Sequence, residues 1–136
     1  MGKYFTMGEM MRSQTADARG INNKCTIEQA NNIKKLIENV LDPLREAYGK
    51  PIRVTSGFRS AELNKAVGGS KTSDHMNGCA ADIVGTPATK EENEKLFYLV
   101  QSLGLSYDQL INEKGFSWVH VSFRTKGTNR NQILNL

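Results

Sequence analysis

Apolar positions recur along the chain in two periods, and the switches between them mark the elements. Ile27, Ala30, Ile33, Ile37, Val40 and Leu41 fall at helical spacing, on one buried face. Thr26 precedes them and Gln29 stands three residues after it, a capping-box signature that satisfies free amide groups at a helix start. Thr6 and Glu9 repeat that signature and predict a short helix within Tyr4 to Arg12. Asp42-Pro43 reads as an N-cap followed by proline at the first helical position, opening a helix through Leu44 and Ala47 that stops near Gly49. Ser60 predicts a helix with Leu63, Ala66 and Val67, ended by Gly68-Gly69. Thr89 predicts another from Lys90 to Leu103, acidic in its first turn, with Leu96, Leu99, Val100 and Leu103 facing inward.

Strand signals fill the gaps. Pro51 to Thr55 reads as a short strand ending at the Ser56-Gly57 turn, and the small and β-branched run Cys79 to Val84 suits a buried strand. Gln109 to Glu113 and Trp118 to Phe123 read as two strands joined by a Lys-Gly-Phe-Ser turn. Helices first, then strands with helices between them, predict an α+β fold with a small, mainly antiparallel sheet flanked by helices. No repeat, low-complexity tract or linker divides the sequence, and 136 residues suit one compact domain, 1–136, with one core.

Composition narrows the function classes. Hydrophobic content of 38% and charged content of 24% are those of an ordinary globular protein. The net charge of +4 is spread along the chain, so a nucleic-acid partner, which needs a clustered basic footprint, is not expected. No stretch approaches the roughly 20 apolar residues of a membrane span, and residues 1–19 lack a run of signal-peptide type. The expectation is a monomer made in the cytoplasm, with no membrane span. Cys25 and Cys79 make no disulfide framework and no CxxC site; two reduced thiols are expected, with a single bridge between them as the alternative.

The chain has two histidines, each in an informative setting. His75 opens the stretch that runs through Gly78 to Asp82, and His120 sits in Trp118-Val119-His120-Val121-Ser122. Imidazole nitrogen and carboxylate oxygen are both zinc ligands, and three protein ligands with one open position define a catalytic rather than a structural site. The offset from His75 to Asp82 fits a loop ligand followed by a strand ligand, with Gly78 permitting the turn. Alternation points His120 away from Val119 and Val121. Taken alone, these residues are equally readable as two unrelated histidines, one solvated and one a satisfied strand residue.

The pattern Ser73-x-His75-x-x-Gly78-x-Ala80-x-Asp82, followed by Trp118-x-His120, resembles the zinc-binding motif of the D-Ala-D-Ala carboxypeptidase and L-Ala-D-Glu endopeptidase family. The likeness extends through Ser56-Gly57-Phe58-Arg59-Ser60, Leu63-Asn64, Val67-Gly68-Gly69-Ser70-x-Thr72-Ser73 and Tyr107-Asp108-Gln109-Leu110-Ile111. The resemblance implies a hedgehog/DD-peptidase-like fold, Zn2+ held by His75, Asp82 and His120, and hydrolysis of an amide bond in peptidoglycan stem peptides. It also implies that Arg59 positions the peptide through its forked guanidinium. Ser73 is expected to bind substrate or orient the ligand loop, and Trp118 to wall the pocket. The lack of a signal stretch and of a wall-binding module suits a phage or prophage lysin, acting on the wall after delivery by another factor.

One position departs from the pattern. Many members carry Asp or Glu three residues before the last zinc-ligand histidine; here that residue is Ser117, a poor base without an activating partner. Glu113, on the neighbouring predicted strand, is the expected general base, with Asp108 as the alternative. The departure also keeps a second reading open, a non-hydrolytic zinc-containing cell-wall-binding module of the same fold.

Overall fold

The computed structural model describes residues 3–136. Six α-helices precede or interrupt five strands: α1 (Met7–Met11), α2 (Gln14–Arg19), α3 (Ile27–Leu36), α4 (Asp42–Tyr48), β1 (Arg53–Ser56), α5 (Ala61–Ala66), β2 (Ala80–Val84), α6 (Lys90–Ser102), β3 (Gln109–Glu113), β4 (Trp118–Ser122) and β5 (Gln132–Asn135). The strands form one sheet in the order β1-β2-β4-β3-β5. Every pair is antiparallel except β3 with β5. The fold is α+β with a mainly antiparallel sheet, as the order of elements predicts.

Local capping explains most helix starts. Thr6 and Thr26 close reciprocal capping boxes with Glu9 and Gln29, while Ser60 and Thr89 each accept an amide three residues on. Helix α2, capped by Ser13, has too little apolar periodicity to announce itself and was not anticipated. Asp42 does not cap a new helix. The chain runs on from α3 through a π-helical turn, Ile37–Leu41, into α4, and the Asp42 amide donates five residues back to the Ile37 carbonyl. A widened turn suits the approach to Pro43, which has no amide to offer the helix. The Asp42 carboxylate instead accepts from the backbone amides of Lys3 (2.6 Å) and Tyr4 (3.1 Å), tying the N-terminal segment down.

Ile33, Leu36, Ile37, Val40, Leu41 and Leu44 pack with Leu96, Phe97 and Val100 against Ala81, Ile83, Leu110, Val119 and Val121 on one face of the sheet. Two residues expected to face inward, Ile27 and Leu103, do not, and Val67 is exposed as well. Ile27 lies in the first turn of α3 and is 84% exposed, and Val67 and Leu103 stand at the C-terminal caps of their helices, past the last turn that packs. β5 was also unanticipated. It joins β3 through parallel backbone pairing, with a mostly exposed pattern that gives no period-two signal. No helix among the described residues is long and apolar enough to cross a membrane. Cys25 and Cys79 are both free thiols. Burial raises the Cys79 thiol to about 11, so it is protonated and packs as a small apolar group.

Candidate metal centre

The sheet's second face carries the site. Asp82 on β2 stands directly opposite His120 on β4, and His120 directly opposite Ile111 on β3. Alternation therefore sends Asp82 and His120 away from the core that Ala81, Ile83, Val119 and Val121 build. The third member arrives from a loop. Ser73 caps a 3-10 turn, Asp74–Asn77, and Gly78 ends it at φ +76. A side chain at Gly78 would meet the Gln29 carbonyl oxygen at 2.6 Å, so glycine is required both for its left-handed backbone and for space. The turn swings His75 over the sheet face toward Asp82.

One nitrogen or oxygen from each of His75, Asp82 and His120 lies within 4.8 Å of the others. His75 Nε2 is 3.4 Å from Asp82 Oδ1, and His120 Nδ1 is 3.0 Å from the same oxygen. Bonds of about 2.0–2.1 Å in a tetrahedron put ligand atoms roughly 3.3 Å apart, so each histidine nitrogen already stands near that spacing from the Asp82 oxygen. The tautomer of His75 is set as well. Its Nδ1 donates to the Gly57 carbonyl at 2.7 Å, which leaves the Nε2 lone pair facing Asp82. Burial alone would raise the Asp82 pKa, but hydrogen bonds and charge from His120 and His75 outweigh it and hold the carboxylate well below its usual range. A deprotonated carboxylate beside two imidazoles is the donor chemistry of a divalent transition metal.

A supporting layer orients the trio. The Arg59 amide donates to the His75 carbonyl at 3.0 Å. Its guanidinium donates to Ser56 Oγ (2.9 Å), Asn64 Oδ1 (3.2 Å) and Asp82 Oδ2 (3.5 Å). Burial lowers the Arg59 pKa and the Asp82 charge opposes that, so the group stays cationic. Three of five N–H groups are engaged, leaving two for another acceptor. Ser56 and Asn64 lie within the motif quoted above but carried no assigned role, because a hydrogen bond to a side chain three or five residues away leaves no sequence period.

The remaining candidates separate. Ser73 Oγ accepts from the His75 amide at 3.2 Å, so it orients the ligand loop. Trp118 and Glu113 are paired neighbours on the site face, two residues along from His120 and Ile111. Trp118 Nε1 is buried without a hydrogen-bond partner, and Lys114 Nζ stands 5.6 Å from the ring centroid. Glu113 is half-buried, diagonal to His120, and its carboxylate has no hydrogen bond or ion pair among the described residues. Ser117 Oγ donates to the Lys114 carbonyl at 2.7 Å and serves the β3–β4 turn. Asp108 is committed elsewhere: Arg130 donates to both its oxygens at 2.9 Å, and Arg124 Nε stands 3.1 Å away. Those hydrogen bonds hold its pKa low, and at 1% exposure it is buried beneath the two arginines.

A segment of 44 residues is 52% identical to the zinc D-Ala-D-Ala carboxypeptidase of Streptomyces albus G, covering 32% of this chain and 17% of that protein. The chain thus matches about a sixth of its relative's length. The sequence profile of the Peptidase M15 family matches residues 3–122, a span that holds all three candidate ligands. This chain belongs to the Peptidase M15 family.

Proposed function

We propose that this protein is a zinc-dependent peptidase that hydrolyses an amide bond in peptidoglycan stem peptides, as a carboxypeptidase or an endopeptidase. The observation that carries this reading is the convergence of His75, Asp82 and His120 in a chain of a peptidase family. Zinc, when bound, supplies a Lewis acid that polarises the scissile carbonyl and acidifies water to a pKa of about 7. The protein's own residues do the rest. The Gly57 carbonyl fixes the His75 ring, and Arg59 holds Asp82 while offering its two spare N–H groups to a peptide carboxylate or carbonyl.

Glu113 is the proton carrier in this reading. Its free carboxylate lies diagonal to His120, within the reach of a long side chain across a strand pair. There it takes a proton from the attacking water and returns it to the leaving amine. Trp118, its cross-strand partner, walls that side of the site. A phage or prophage origin, with the protein acting as a lysin, is consistent with this activity.

The experiment is a zymogram on purified cell walls, with mass spectrometry of the released fragments to name the bond. Wild type is expected to clear the wall when loaded with zinc. His120→Ala abolishes clearing, and Glu113→Gln lowers kcat by about 10²–10⁴ while zinc affinity is kept. Clearing that survives both substitutions would sink the mechanism. Full activity in Glu113→Gln alone would remove only the base assignment. Wall binding without release of fragments by zinc-loaded wild type would favour the non-hydrolytic module.

A further inference from the structure

A groove of about 520 Å³ runs beside the site, lined by the Arg12–Thr15 segment, residues 53–56 of β1, and Leu63 and Val67 at α5. Three features of it point the same way. Its lining includes three guanidinium groups, Arg12, Arg53 and Arg59, and no carboxylate. Arg12 and Arg53 are exposed and have no ion-pair or hydrogen-bond partner for their side chains among the described residues. Evenly scattered charge on the sequence thus becomes a local cationic strip on the surface.

The second feature is the strand itself. β1 is an edge of the sheet, paired with β2 on one side only. An open edge offers backbone donors and acceptors to an added extended chain. The third feature is continuity with the metal trio. Arg59 lines the groove and also donates to Asp82 Oδ2 at 3.5 Å, so a chain lying along β1 ends at the site. A nucleic acid would gain the charge but little else, because Phe58, the aromatic in the lining, is buried and presents no face for base stacking.

We propose that this groove binds the acidic, extended arm of the peptide substrate, with β1 as its backbone partner and Arg12 and Arg53 as receptors for its carboxylates. The word substrate rests on the peptidase reading above; the binding itself does not.

The test uses the metal-free full chain and a fluorescent stem peptide with a free carboxylate in mid-chain, beside the same peptide with that carboxylate amidated. Anisotropy at low salt is expected to show the acidic peptide binding about tenfold more tightly, the scale of one charge-assisted hydrogen bond. Arg12→Gln/Arg53→Gln removes the preference, and Arg12→Lys/Arg53→Lys keeps part of it. In the zinc-loaded protein the Gln pair raises KM for the acidic peptide and leaves kcat unchanged. Equal binding of the two peptides by wild type overturns the proposal, as does a preference that survives in the Gln pair. So does an oligonucleotide that binds with the same arginine dependence and displaces the acidic peptide no better than the amidated one. An intact acid preference with no hydrolysis of either peptide supports the groove and rejects the peptidase reading. Both arginines are exposed and unpaired, so the variants are expected to melt with wild type.

Discussion

Asp82 on β2 and Asp108 in the bend just before β3 are two buried carboxylates, 8% and 1% exposed, and both are held ionised. Their partners separate their roles. Asp108 faces two guanidiniums, Arg124 and Arg130, which are permanently charged and between them engage both its oxygens. That cluster closes the C-terminal segment onto the sheet: the Gln132 amide donates to the Asp108 carbonyl and Asn131 bonds both ways with Tyr107. Asp82 faces two imidazoles whose ring nitrogens can give up a proton and take a cation instead. A carboxylate held by arginines is a clamp, and one framed by histidines is a ligand.

Substitutions should divide the same way. Asp82→Asn is expected to lower zinc affinity at least a hundredfold and peptidase activity about a thousandfold, since the Lewis acid supplies several kcal/mol of the barrier reduction. Zinc titration against a chromophoric chelator, with a circular dichroism spectrum to show that the fold persists, measures this. Asp108→Ala is expected to do the reverse. It leaves two half-exposed arginines without their acceptor and costs about 2 kcal/mol of stability, below the full penalty for a deeply buried pair, with zinc affinity within twofold of wild type. Urea midpoints decide it. Unchanged stability would show that the clamp holds nothing.

Gly57 tests how far the ligand site depends on its backing. A Cβ there would overlap the Met10 carbonyl oxygen, which already accepts the Phe58 amide. Gly57→Ala is expected to cost about 1–3 kcal/mol through overpacking, and to weaken zinc 10–100-fold by displacing the carbonyl that fixes His75. A metal affinity equal to that of wild type would show that His75 orients itself.

Acid sharpens the comparison further. Hydrogen bonds from Arg130, against the cost of burial, depress the Asp108 pKa in the folded state, so its contribution is complete above the unfolded value of about 3.9 and fades as pH falls through the folded value. Glu92 behaves alike: hydrogen bonds from Lys50, Lys95 and Tyr48 hold it at about 2, and its contribution fades between about 4.3 and 2. Stability of Asp108→Ala measured from pH 6 to pH 2 should fall less steeply than that of wild type. Parallel curves would contradict the pairing. The smallest effect is expected from Ser73→Ala, about 0.5–1 kcal/mol of local capping, with a modest drop in zinc affinity.

What was legible in the sequence was local or chemically exclusive. N-caps and capping boxes act over three residues, so Thr6, Thr26, Ser60 and Thr89 announced their helices without any knowledge of packing. The two histidines alone left the site open; the candidate trio could be written down before any distance was known because Ser73-x-His75-x-x-Gly78-x-Ala80-x-Asp82 and Trp118-x-His120 resemble a known zinc-binding motif. Tertiary structure decided what depends on partners far along the chain. It left Ile27 in solvent, carried α3 through a π-helical turn into α4, and gave β5 its place through backbone pairing with β3 across 23 residues. It also committed Asp108 to Arg130 while leaving Glu113 free, and it gathered Arg12, Arg53 and Arg59 into one groove. Caps and motifs are set by neighbours along the chain, whereas burial, pairing and charge clustering depend on which distant surfaces meet.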